Sequence, residues 1–164
     1  MFNKLREMFG NKQDSEIIVS PIEGRVIPVT EVSDPTFGQE IVGKGIAIIP
    51  TCGRVVSPVN GTISMVFETK HALTIISDQG AEILIHIGLE TVKLKGQYFT
   101  TYVQSGQKVI VGDLLVEFDL EAIIKAGFDS VTPMVICNME AYTEIKTTVG
   151  NNEKELAEVI TLVR

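Results

Sequence analysis

The chain has 164 residues, 45% of them apolar, with 14 basic and 21 acidic side chains and a net charge of -7. That length and composition predict one folded domain around one core, and the negative charge opposes the phosphate neutralisation on which nonspecific DNA or RNA binding depends. No run reaches the roughly 18 consecutive apolar residues of a membrane span, and no signal-peptide pattern is present, so a cytoplasmic protein is expected.

The first 16 residues stand apart. Met1, Phe2, Leu5, Met8 and Phe9 fall near helical spacing, with Lys4 and Arg6 between them, until Gly10 and Asn11 break the pattern. Two readings fit: a short amphipathic helix touching anionic lipid, and a frayed terminus. Isolated helices this short are marginal in water, which favours a flexible tail over 1–16 and a folded domain over 17–164.

From Ile17 onward, short β-branched and apolar runs alternate with Gly, Pro, Asn and Asp, the pattern of an all-β sandwich or barrel. The expected strands are 17–19, 24–29, 45–49, 53–57, 61–67, 71–77, 81–87, 108–110, 114–119, 132–137 and 159–163. Two short helical pieces are expected near 120–126 and 152–157. Ser20-Pro21-Ile22-Glu23-Gly24-Arg25-Val26 echoes Ser57-Pro58-Val59-Asn60-Gly61-Thr62-Ile63, which predicts two similar corners, each a Pro-led turn with glycine opening a strand. Residues 105–115 read as two strands around a Val-Gly-Asp turn, a pattern also found in biotinyl and lipoyl carrier domains. Cys52 and Cys137 belong to no CxxC or Cys/His metal spacing and are expected to be buried free thiols.

The chain has two histidines, His71 and His86, in two apolar runs joined by the polar segment Ser77-Asp78-Gln79-Gly80. If Asp78 and Gln79 form a two-residue hairpin loop, Ser77 pairs with Gly80, and counting outward sets His71 opposite His86, Leu73 opposite Leu84 and Thr69 opposite Gly88. A three-residue loop would shift every partner by one and leave the histidines diagonal. Two imidazoles on one face suit phosphoryl chemistry at nitrogen: one offers an unprotonated nucleophile, the other donates to phosphoryl oxygens. Leu73 and Leu84 would limit hydrolysis by water. Ordinary packed strand histidines are the competing reading. A zinc site needs more than two ligands, so zinc here would have to be adventitious or completed by a partner, and no resident metal or cofactor is expected.

Four stretches carry a family resemblance: Ile41-Val42-Gly43-Lys44-Gly45-Ile46-Ala47-Ile48, Ser57 to Ile63, Phe67-Glu68-Thr69-Lys70-His71-Ala72, and Ile85-His86-Ile87-Gly88-Leu89-Glu90-Thr91-Val92-Lys93-Leu94-Lys95-Gly96. In order and together they closely resemble the glucose-specific IIA component of the bacterial phosphoenolpyruvate:sugar phosphotransferase system. The resemblance implies an antiparallel β-sandwich of the barrel-sandwich hybrid kind, with a few short helical turns. It also implies a relay in which phosphorylated HPr donates to the IIA protein, which passes the group to a cysteine on the IIB domain of a sugar permease. Carried over by position, His86 is the phosphorylated nucleophile, His71 stabilises the phosphoryl group, and Thr69 orients His71. The implied docking face draws on Phe37, Ile41, Val42, Ile46, Phe67, Leu84, Glu90 and Val92. The protein is expected to be a monomer that meets the membrane through the permease or weakly through its N-terminal tail.

The resemblance has departures. Glu90 stands where the enterobacterial form has Asp, and Lys93 where it has Glu, so the rim charges that tune encounter and partner choice differ. Two other classes compete. A lysostaphin-type zinc peptidase needs His-x-x-x-Asp and His-x-His, but Ile75 and Gly88 stand in the required places. A lipoyl or biotinyl carrier needs a lysine at a hairpin tip, whereas Lys70 lies beside His71.

Overall fold

The computed structural model describes residues 15–164, and both readings of the N-terminal segment fall on residues 1–14, outside that range. Among the described residues the strands are β1 (Ser15–Val19), β2 (Gly24–Pro28), β3 (Lys44–Pro50), β4 (Arg54–Val56), β5 (Gly61–Val66), β6 (Ala72–Ser77) and β7 (Glu82–His86). They continue as β8 (Phe99–Thr101), β9 (Lys108–Val109), β10 (Leu114–Phe118), β11 (Thr132–Ile136), β12 (Glu144–Thr147), β13 (Gly150–Glu153) and β14 (Glu158–Val163). The α-helices are α1 (Pro35–Gly38) and α2 (Leu120–Lys125). All pairings are antiparallel, in an eight-stranded sheet ordered β13-β2-β3-β11-β7-β6-β5-β9 and two three-stranded sheets, β1-β14-β12 and β4-β10-β8.

Side chains alternate across a strand, and the eight-stranded sheet uses both parities. Ile46 and Ile48 on β3, Met134 and Ile136 on β11, Ile83 and Ile85 on β7, and Leu73 and Ile75 on β6 face the large core shared with the two smaller sheets. The intervening residues Ala47, Val135, Leu84 and Ala72 face the other way, into a second apolar cluster. Val29, Val32 and Phe37, on the segment around α1, pack against that outer face. Each fully buried Ile, Leu or Val contributes roughly 1.5–3 kcal/mol, so the large core supplies most of the stabilisation.

The predicted corners occur. Ser20 Oγ donates to the Ile22 carbonyl at 2.8 Å and Ser57 Oγ to the Val59 carbonyl at 2.7 Å, so both turns use one motif before β2 and β5. The expected helix at 120–126 is α2, capped by Asp119 accepting from the Ala122 N–H at 3.1 Å. Other expectations are corrected. The segment 152–157 is not helical: it finishes β13, which pairs with β2, and turns at Leu156, where φ is +72°. Helix propensity there is overruled by strand pairing. β8, β12 and β13 were not anticipated, because Phe-Thr-Thr, Glu-Ile-Lys-Thr and Gly-Asn-Asn-Glu lack an apolar alternation and owe their strand form to long-range hydrogen bonds. The strands flanking the Val-Gly-Asp turn do not pair with each other: β9 joins β5, and β10 joins β4 and β8. β1 begins at Ser15, so Ser15 and Glu16 are strand rather than tail. Cys52 and Cys137 are free and half-buried rather than buried.

Candidate functional site at the histidine pair

The β6–β7 hairpin closes by a three-residue loop, not a two-residue one. Ser77 N–H donates to the Ala81 carbonyl at 2.9 Å, Gly80 N–H returns to the Ser77 carbonyl at 2.9 Å, and Gly80 sits at φ +99°, the left-handed position such a loop requires. The register is therefore shifted by one: Ala72 opposes His86, Leu73 opposes Ile85 and Thr74 opposes Leu84. Leu73 is removed from the histidine face into the large core, while Leu84 stays beneath the histidines in the outer cluster.

The two imidazoles meet despite the shift. His71 lies one residue before β6, after a tight turn in which Lys70 N–H donates to the Phe67 carbonyl and Lys70 holds φ +62°. That turn takes His71 out of strand alternation, while its carbonyl still accepts from the Ile87 N–H at 2.7 Å. The ring centroids of His71 and His86 are 4.8 Å apart and the planes cross at 86°. Phe67 meets His71 edge-on at 5.6 Å, and Phe37 tilts against His86 at 5.0 Å. The rings are thus clamped between two aromatic side chains.

Each ring has a partner on Nδ1. His86 Nδ1 lies 2.7 Å from the Gly88 carbonyl, which can only accept, so Nδ1 carries the proton and Nε2 keeps its lone pair. Thr69 Oγ1 lies 2.8 Å from His71 Nδ1. His71 is buried at 2% exposure and His86 is half-buried. Burial pushes the His71 pKa down to about 4, with the neighbouring His86 adding to the shift and the Thr69 backbone opposing it. Burial also lowers the His86 pKa, opposed by the Gly88 carbonyl and the Asp34 carboxylate. Both rings are neutral near pH 7, the state a nitrogen nucleophile needs.

The anticipated docking residues divide into three groups. Ile41 and Val92 are exposed apolar side chains, and Glu90, in an ion pair with Lys93 at 3.3 Å, is exposed beside them. Val42 and Phe67 are half-buried against the outer cluster, while Phe37 and Leu84 lie within it and form its floor. Ile46 does not belong to this face: its parity on β3 points it into the large core, where it is fully buried. Sequence reasoning missed two groups that act on His86. Gly88 was expected only as the position opposite Thr69, yet at φ +77° it presents the carbonyl that fixes the His86 tautomer. Asp34, whose Oδ1 also accepts from the Thr36 N–H at 2.9 Å to cap α1, supplies the negative charge felt by His86. The Asp34-Pro35 helix-start signal was available in the sequence, but nothing local tied it to His86. Among the described residues no three His, Cys, Asp or Glu side chains are placed to hold a metal ion, and no helix is long and apolar enough to cross a membrane.

Comparison with known proteins places this geometry. Residues 16–142 match the family described as phosphoenolpyruvate-dependent sugar phosphotransferase system, EIIA 1. The glucose-specific EIIA component of Bacillus cereus is 50% identical over 150 residues, covering 92% of this chain and 90% of that protein. The beta-glucoside-specific EIIBCA component of Bacillus subtilis (strain 168) is 56% identical over 128 residues, which are 78% of this chain but only 21% of that longer protein. Among solved structures, glucose permease IIA from Mycoplasma capricolum superposes with a TM-score of 0.83 at 32% identity, covering 90% of this chain and 95% of that one. The antiparallel sandwich and the family match agree, and the protein is a phosphocarrier component working through a phosphohistidine. The chain belongs to the EIIA 1 family of the phosphoenolpyruvate-dependent sugar phosphotransferase system.

Proposed function

We propose that His86 is the residue that carries the phosphoryl group, that His71 steadies it, and that Thr69 sets the orientation of His71. The observation that carries this reading is the Nδ1–H of His86 donated to the Gly88 carbonyl, which leaves Nε2 as the nucleophile on a half-buried ring. The Nε2 lone pair attacks phosphorus as the bond from phosphorus to the donor nitrogen breaks. The positive charge left on the His86 ring is relieved at Nδ1–H by the Gly88 carbonyl and by the Asp34 carboxylate. His71 lies perpendicular to His86, and with Thr69 donating to its Nδ1 the proton sits on its Nε2, available to the phosphoryl oxygens. Phe37, Phe67 and Leu84 exclude water that would hydrolyse the phosphohistidine.

The donor is HPr, and the acceptor is a cysteine on the IIB domain of a glucose-type or β-glucoside-type permease. Ile41 and Val92, with Glu90 at the rim, form the contact that both partners use in turn, and the protein works as a monomer in the cytoplasm. The test is incubation with phosphoenolpyruvate, Enzyme I and HPr, followed by detection of acid-labile, base-stable label. Wild type takes up label and His86→Ala takes up none. His71→Gln accepts label but passes it to a IIB domain slowly. Label on the His86→Ala protein would overturn the assignment.

A further inference from the structure

Gly88 aims the carbonyl that holds the His86 ring, yet a glycine cannot keep an aim by itself. Without a Cβ it takes positive and negative φ with nearly equal ease, so its φ of +77° has to be imposed by its surroundings. The peptides on both sides of it are tethered. The Gly88–Leu89 peptide points its carbonyl at His86 Nδ1, 2.7 Å away, and its N–H at the Asp129 carbonyl, 2.9 Å away. The Ile87–Gly88 peptide is held by a side chain, because Thr91 Oγ1 donates to the Ile87 carbonyl.

Thr91 opens the short 3-10 turn Thr91–Leu94 and is fully buried. The two branches of its side chain do separate things. Cγ2 closes the space over Gly88, 2.6 Å from where a Cβ would stand, and so excludes a side chain at that position. The hydroxyl stops the Ile87–Gly88 peptide from rotating. The same stretch is tied to the other histidine, since the Ile87 N–H donates to the His71 carbonyl at 2.7 Å.

Were the Ile87 carbonyl free to turn, ψ of Ile87 and φ of Gly88 would change together, and the Gly88 carbonyl would swing off His86 Nδ1. Nδ1 would lose the acceptor that keeps its proton there, and the proton would be free to sit on Nε2, the atom that the proposed transfer needs unprotonated. A buried carbonyl left without a donor also costs free energy, so the tethered arrangement is favoured over any rotated one that lacks a partner.

We propose that Thr91 is a positioning residue for phosphoryl transfer: its hydroxyl locks the Ile87–Gly88 peptide, and through it the Gly88 carbonyl that selects the Nδ1–H tautomer of His86. The proposal rests on the reading of His86 as the carrier, and Thr91 acts through the backbone.

The test separates the two branches of the side chain. Thr91→Val keeps the shape and the methyl group but lacks the hydroxyl, whereas Thr91→Ser keeps the hydroxyl and lacks the methyl. Imidazole 15N spectra of the unphosphorylated protein report the His86 tautomer, and label uptake from phosphorylated HPr reports the rate. In Thr91→Val the Nδ1–H signal of His86 is expected to weaken as Nε2 becomes partly protonated, and uptake to slow about tenfold. Thr91→Ser is expected to stay close to wild type in both measurements. Wild-type ring spectra in Thr91→Val would overturn the proposal, whatever the rate of uptake. So would equal impairment of Thr91→Ser, which would assign the effect to packing of the methyl group. Label on His86→Ala would instead overturn the reading of His86, a failure that the ring spectra, taken before any phosphoryl transfer, do not share.

Discussion

The eight-stranded sheet presents two faces built from the same strands by residues of opposite parity. On the inner face Leu73, Ile75, Ile83 and Ile85 are sealed in a core shared with both smaller sheets. On the outer face Ala72 and Leu84 belong to a smaller cluster that Val42 and Phe67 only partly cover, and His86 emerges at its edge. The inner face contributes stability. The outer face, thinner, holds two neutral imidazoles in a partly dry setting, the setting that the proposed phosphoryl exchange at His86 requires.

The largest expected contrast comes from adjacent residues of β7. Ile85→Ala leaves a cavity in the inner core and should cost about 2–5 kcal/mol in denaturant unfolding, whereas Leu84→Ala should cost less than half as much while slowing phosphoryl exchange with HPr. Equal stability losses would erase the distinction between the faces.

The next contrast is in pH. His71 has a folded pKa near 4 against an ordinary 6.5, so between those values the unfolded chain binds a proton that the folded chain does not. Stability should therefore be fully present above pH 6.5 and decline as pH falls toward 4, by roughly 2–3 kcal/mol from this group. His71→Gln should flatten that part of a pH series of unfolding curves, and an unchanged slope would place the dependence elsewhere.

Gly88→Ala tests the carbonyl that fixes the tautomer. Its Cβ would stand 2.6 Å from Thr91 Cγ2 and 3.0 Å from the Asp129 carbonyl, at φ +77°. The expected cost is about 1–3 kcal/mol of stability, together with slower label uptake and a changed Nδ1–H proton resonance on His86. The smallest effect belongs to Thr69→Ala, which should leave stability within about 1 kcal/mol and slow onward transfer about tenfold, with Thr69→Ser restoring most of the rate.

Much of this was legible before any coordinates. Period-two runs gave most strands within a residue or two, and the polar interruption at 77–80 placed both histidines on one hairpin. Edge strands such as β12 and β13 were invisible, because β13 is polar throughout and β12 has one apolar residue, Ile145, too few for an alternation, so that only pairing with β14 and β2 makes them strands. At the site, the structure brings Thr69, His71 and His86 together, while Ile46, expected on the docking face, points into the large core: the stretch around it is apolar on both parities, so nothing local says which one looks outward.

The all-β class, the histidine hairpin and the family motifs are written locally in the chain, because alternation, turn residues and residue identity are local. Tertiary structure decided what depends on contacts between distant segments. The choice of Gly80 as a third loop residue set the register, the left-handed turn at Lys70 restored the imidazole contact that this register would otherwise lose, and packing of the α1 segment on the sheet brought Phe37 and Asp34 to His86. Backbone conformation at single residues and pairing between distant strands are settled by the whole fold's balance of burial and hydrogen bonding, and no window of sequence contains that balance.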